Sequence, residues 1–134
     1  MIKLFEVGKK YHVEFDVTEQ VYQSFLLAFK DHNPLHTNDS FAQEKGFISK
    51  VMHGNILNGF VSYFIGECLP SKNVIIHSQQ IQFNNPVYLH STLKFEATVA
   101  EIFESVNAVE FKFTFKNQAM KTVAKGKVQI GMLL

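Results

Sequence analysis

The chain has 134 residues, 46% of them hydrophobic and 19% charged, which suits one folded domain spanning 1–134 and excludes a disordered class. Thirteen basic residues against 12 acidic ones leave a net charge of +1, so no broad cationic field exists to hold nucleic acid. There is no uncharged apolar run of about 18 residues and no basic start leading into an apolar core, so neither a membrane span nor a signal peptide is expected, and the cytoplasm is the expected location.

Tyr11 to Val17 alternates loosely and precedes Thr18, which reads as a strand followed by a helix N-cap. A helix is predicted over 19–29, with Val21, Phe25, Ala28 and Phe29 on one stripe. Asn33-Pro34 must stop it, because the residue before a proline disfavours helical backbone. A short helix is predicted over 40–46, capped by Asn38 or Asp39 and ended by Gly46. A long helix is predicted over 54–69, where Pro70 stops it. Ile56, Leu57, Phe60, Val61, Phe64, Ile65, Cys68 and Leu69 leave it only a narrow polar strip, so other structure should wrap it.

Strands follow over 74–83, 92–103, 106–116 and 121–130, with turns at Ser105 and at Asn117-Gln118. Glu110 to Lys116 alternates strictly and should bury a row of phenylalanines on one face. The order of one strand, helices, then four strands predicts an α+β domain with a mostly antiparallel sheet curled around the long helix. Fourteen phenylalanines and no tryptophan suit a dense core, a shared interface or the lining of an apolar pocket. The single cysteine, Cys68, allows no intrachain disulfide and reads as a small buried hydrophobe.

Three polar features stand out. Asp31 and His36 lie five apart on the loop at Pro34, and a carboxylate with an imidazole can move protons near neutral pH. Asn33 between them can bond backbone groups of its own turn and hold the loop rigid. A solvated turn has the same composition, and spacing alone does not separate the two. His53-Gly54 opens the long helix, where free N–H groups and a residue without Cβ would let a ligand carbonyl approach, although a tight turn also explains the glycine. Ser62 lies two turns further on, where a serine often bonds its own backbone. His32 and His36 show no metal-ligand spacing, His12, His77 and His90 read as surface or satisfied core histidines, and no phosphate loop or nucleophile elbow is present.

Taken together, Asp31-His32-Asn33-Pro34-Leu35-His36, then Phe41-Ala42, then His53-Gly54 resembles the signature of the MaoC-like hydratases, the (R)-specific enoyl-CoA hydratases, over nearly the whole chain. The resemblance implies the hot dog fold and a homodimer, or a larger homo-oligomer, whose sheets join. It implies a substrate that is an enoyl-CoA or acyl-carrier thioester; no cofactor, metal, nucleic acid or membrane partner is expected. By position, Asp31 and His36 correspond to the catalytic pair and Gly54 to the backbone donor for the thioester oxygen. Asn33, His53, Asn55 and Ser62 are expected beside the substrate. The sequence departs from the family at Phe29-Lys30 before the loop, at Asn55-Ile56 after His-Gly, and at the uncharged Asn84-Asn85-Pro86-Val87. Alternatives on the same fold are a thioesterase, a dehydratase acting on carrier protein, and an idle acyl-thioester-binding dimer.

Overall fold

The computed structural model describes residues 2–134. After a 3-10 turn at Ile2–Leu4, strand β1 runs over Lys10–Asp16 and leads into helix α1, Glu19–Phe29. Thr18 caps α1, its hydroxyl accepting the Val21 N–H at 3.1 Å. The helix ends when Lys30 turns left-handed (φ 59°) and donates its N–H to the Leu26 carbonyl. The helix expected over 40–46 is α3, Asp39–Glu44, capped by Asn38 and followed by Gly46 at φ 94°.

The segment at Pro34 corrects one expectation. Proline does stop α1, yet Pro34–Thr37 form a helical turn of their own, α2. Proline suits the first position of a helix, where its missing N–H would have no partner and its φ is already helical.

The long helix differs as well. It is α-helical only over Asn55–Tyr63 (α4) and then widens into a π-helical turn over Phe64–Cys68. Its apolar face is buried through Ile56, Leu57, Val61, Phe64 and Ile65. The sheet wraps that face as expected, and the other side of the helix is open. Asn55, Gly59, Ser62, Tyr63, Gly66 and Glu67 form an exposed strip, because one five-stranded sheet covers one side of it.

The remaining strands are β2 (Val74–Phe83), β3 (Thr92–Phe103), β4 (Ala108–Lys116) and β5 (Thr122–Met132). All pair antiparallel in the order β1-β3-β4-β5-β2, so β1 and β2 are edges. Register shifts at His77 in β2 and at Ala100 in β3 mark bulges, which bend and twist a sheet. Phe111, Phe113 and Phe115 are buried in a row on β4, and β3 sets Val99, Ala97 and Phe95 opposite them. Phe64 seats the helix on that row, with ring centroids 5.0 Å from Phe95 and 5.6 Å from Phe111. At Gly126 the β2 backbone passes so close that a Cβ would collide with the Gln80 carbonyl. No helix among the described residues is long and apolar enough to cross a membrane.

Candidate active site

The loop after α1 and the start of α4 meet at one end of the sheet. Asn33 caps α2, its Oδ1 accepting the Leu35 N–H at 2.9 Å, so the rigidity expected of this residue has a concrete source. The Asn33 side chain is exposed and is not among the residues lining the cavity described below. Asp31 Oδ1 accepts the Asn33 N–H at 3.2 Å, which leaves Oδ2 free. That free oxygen faces His36 Nε2 across 3.9 Å. The gap is too long for a direct hydrogen bond, and a single water could reach both atoms at about 2.8 Å each.

The tautomer of His36 follows from its other nitrogen. Nδ1 lies 2.7 Å from the Val51 carbonyl, which can only accept, so Nδ1 carries the hydrogen and Nε2 presents a lone pair toward Asp31. The His36 backbone is also held. Its carbonyl accepts the Tyr22 hydroxyl at 2.5 Å, and Val51 N–H donates to the Leu35 carbonyl beside it. Tyr22 is buried, and burial pushes its phenol pKa above the usual value of 10.0, with Glu19 and then Asp39 adding to the shift. Sequence reasoning missed Tyr22. Its partner is a backbone carbonyl fourteen residues on, which no local pattern announces.

Asp31 and His36 share a cavity of about 460 Å³ with Gly54, Asn55, Ile56, Phe83 and the uncharged Asn84-Asn85-Pro86-Val87 segment. Gly54 flanks the N-terminus of α4, and no side chain caps that end. Its N–H therefore has no acceptor within the helix and sits at the positive end of the dipole. The Phe83 ring lies against Gly54 so closely that a Cβ there would stand 2.9 Å from it. An open groove of about 940 Å³ continues past Asp31 between α1 and α4, walled by Val21, Phe25, Phe29 and Phe60.

The other candidates are placed differently. Asn55 lines both the cavity and the groove, with its Oδ1 accepting from Asn58 Nδ2 at 2.7 Å. Ser62 lies on the exposed strip of α4, outside both. His53 is inside the site but buried, its Nε2 2.8 Å from the Asp31 backbone carbonyl and its ring 4.1 Å from that of His36. Lys30 is exposed and forms no ion pair with Asp31. His12 meets Glu96 across the β1–β3 pairing at 3.7 Å on the surface. Cys68 lies in the π turn, and burial pushes its thiol pKa up, away from the reactive thiolate.

Asp31, His36 and His53 could in principle hold a cation, since a ligand atom from each lies within 4.8 Å of the others. Asp31 Oδ2 and His36 Nε2, facing each other beside a helix terminus, also form an arrangement suited to moving protons.

Comparison with known proteins bears on the family and the fold. The family model described as the MaoC like domain matches residues 5–122. The chain is 31% identical over 114 residues to the (R)-specific enoyl-CoA hydratase of Rhodospirillum rubrum, covering 85% of this chain and 78% of that protein. It is 29% identical over 99 residues to the (R)-specific enoyl-CoA hydratase of Aeromonas caviae, covering 74% of each. Among solved structures, the unliganded R-hydratase of Pseudomonas aeruginosa superposes with a TM-score of 0.88 at 30% identity, over 98% of this chain and 84% of that one.

Proposed function

This chain belongs to the MaoC-like dehydratase family, with its hot dog fold, and from that premise we propose that it is an (R)-specific enoyl-CoA hydratase. It is a hydro-lyase that adds water reversibly and syn across a trans-2-enoyl thioester. The observation that carries this reading is the 3.9 Å gap between Asp31 Oδ2 and His36 Nε2 in the cavity that also holds Gly54. Two proton acceptors face one water-sized space, and a backbone donor lies beside it.

In the proposed cycle the thioester oxygen accepts the Gly54 N–H. A water held between Asp31 and His36 attacks the β-carbon while the Asp31 carboxylate takes its proton. The electron pair of the double bond moves toward the thioester oxygen as enolate charge, which the Gly54 donor stabilises by roughly 3 kcal/mol. A proton returns from the pair to the α-carbon on the same face. Hydrogen and hydroxyl have then been added once each, and the pair ends as it began. Acid–base assistance of this kind contributes about 10²- to 10⁴-fold.

The reading includes a homodimer joined through the outer edge of β2. That edge is unpaired, Ile75 and Phe83 on β2 are each 51% exposed, and the bare strip of α4 is an apolar helix's only uncovered side. Ser62 would reach a substrate only in such an assembly.

The test is loss of the enoyl absorbance of crotonyl-CoA, with free-thiol release followed in parallel. Wild type is expected to hydrate without releasing thiol, and Asp31→Ala to lose at least about a hundredfold in rate. Thiol release by the wild type would make it a thioesterase, and an Asp31→Ala chain as fast as wild type would remove Asp31 from the mechanism.

A further inference from the structure

His53 lines the cavity, yet its polar atoms are not offered to it. It is 3% exposed. Its Nδ1 is wholly buried and has no hydrogen-bond partner. Its Nε2 is 2.8 Å from the backbone carbonyl of Asp31, twenty-two residues away, and a carbonyl can only accept. The hydrogen is therefore on Nε2 and the lone pair on Nδ1. One nitrogen is committed to the backbone and the other is sealed off, so neither is free for a thioester or a reacting water.

The ring faces are committed too. One ring neighbour of His53 is His36, centroids 4.1 Å apart and planes 31° apart. Another is Phe25, at 4.6 Å and 34°. Tyr22, whose hydroxyl holds the His36 carbonyl, lies at 6.0 Å. A buried lone pair without a donor is an arrangement that folded proteins avoid unless something else requires the group. Leucine or phenylalanine would fill the space without it. What they lack is an N–H aimed at Asp31.

We propose that His53 is a positioning residue for the proton-moving pair. Its Nε2–H fixes the backbone of Asp31, while its ring packs against the imidazole of His36. One side chain thereby sets the separation of two groups that lie on different parts of the loop. This rests on the hydratase reading for its kinetic consequence, and His53 touches no reacting atom. The His-Gly pair at the head of α4 thus divides its work. Gly54 lines the cavity with an N–H free of helical partners, and His53 beside it registers the loop.

Three variants separate the components. His53→Phe keeps a ring and removes the donor. His53→Gln returns an amide N–H to about the place of Nε2 and removes the ring. His53→Leu removes both. Because a displacement of about 1 Å at a reacting group can cost on the order of a hundredfold, His53→Phe should lower kcat by about 10- to 100-fold with KM nearly unchanged. His53→Gln should recover much of that loss, and His53→Leu should be at least as slow as His53→Phe. A raised KM with kcat intact would make His53 a substrate contact and overturn the proposal, as would a His53→Gln chain no better than His53→Leu.

A second measurement needs neither substrate nor variant. Long-range proton–nitrogen NMR on the wild-type chain should show His53 protonated on Nε2 and His36 on Nδ1. A His53 protonated on Nδ1 overturns the proposal even if every variant fails to fold. A wild-type chain that leaves crotonyl-CoA unchanged would sink the hydratase reading, and the NMR result would still decide the role of His53.

Discussion

Tyr22 does for the backbone of His36 what a turn of helix cannot do alone. Its hydroxyl reaches the His36 carbonyl at 2.5 Å from inside the core. Tyr22→Phe removes the donor and leaves a part-buried acceptor unpaired, a loss of about 1–3 kcal/mol. Chemical denaturation of the two chains should show it, together with a several-fold fall in kcat as His36 loosens. A variant equal to wild type in both would make the bond incidental. The same group sets an alkaline signature. The folded chain holds the phenolic proton more tightly than the unfolded one does, since the pKa of Tyr22 is raised. Its stability contribution is therefore whole below the ordinary value of 10.0 and drains as pH climbs through the raised folded value. Melting temperatures measured across that range should fall more steeply for wild type than for Tyr22→Phe.

At the scale of elements, the boundaries followed from local chemistry wherever local chemistry set them. Thr18 caps α1, Asn38 caps α3, and β2 and β3 begin and end as their patterns of Val, Ile, Phe and Thr imply. Two features were not legible. One was the π turn at Phe64–Cys68, because a periodic apolar run is compatible with either winding and only packing against Phe95 and Phe111 distinguishes them. The other was α2, because Pro34 both forbids helix before it and favours helix after it, and the first effect masked the second. The consequence reaches the site. α2 orients His36, so its cap at Asn33 is tied to reactivity as well as to stability. Asn33→Ala should cost about 1 kcal/mol by thermal or urea unfolding, as lost caps commonly do. It should also lower kcat for crotonyl-CoA, and an unfolding loss with kcat untouched would separate the cap from the chemistry. Asp31, His36 and Gly54 were readable as a motif. Their meeting in one cavity was not, since it depends on the sheet bringing α4 against the loop.

At the scale of the whole molecule, the aromatic composition resolves into a layered core. Phe15 stacks on Phe60 at 4.4 Å, and Phe95 joins Phe64, Phe113 and Phe115 across the helix–sheet boundary. That core fixes α4 rigidly on one side and leaves its other side and the edge of β2 bare. Phe83, the last residue of β2, is half exposed, yet its ring is what presses on Gly54. A neighbour docking on β2 would clamp that ring, and with it the space where the thioester oxygen is proposed to sit. Turnover per chain then becomes a matter of mass action. Diluted below the dissociation constant of the proposed dimer, the protein should lose specific activity in step with its fall in sedimentation coefficient, and adding back more chain should restore both. Ile75→Lys should move that midpoint to higher concentration. A specific activity flat from micromolar to nanomolar protein, with monomers throughout, would show that each chain works alone.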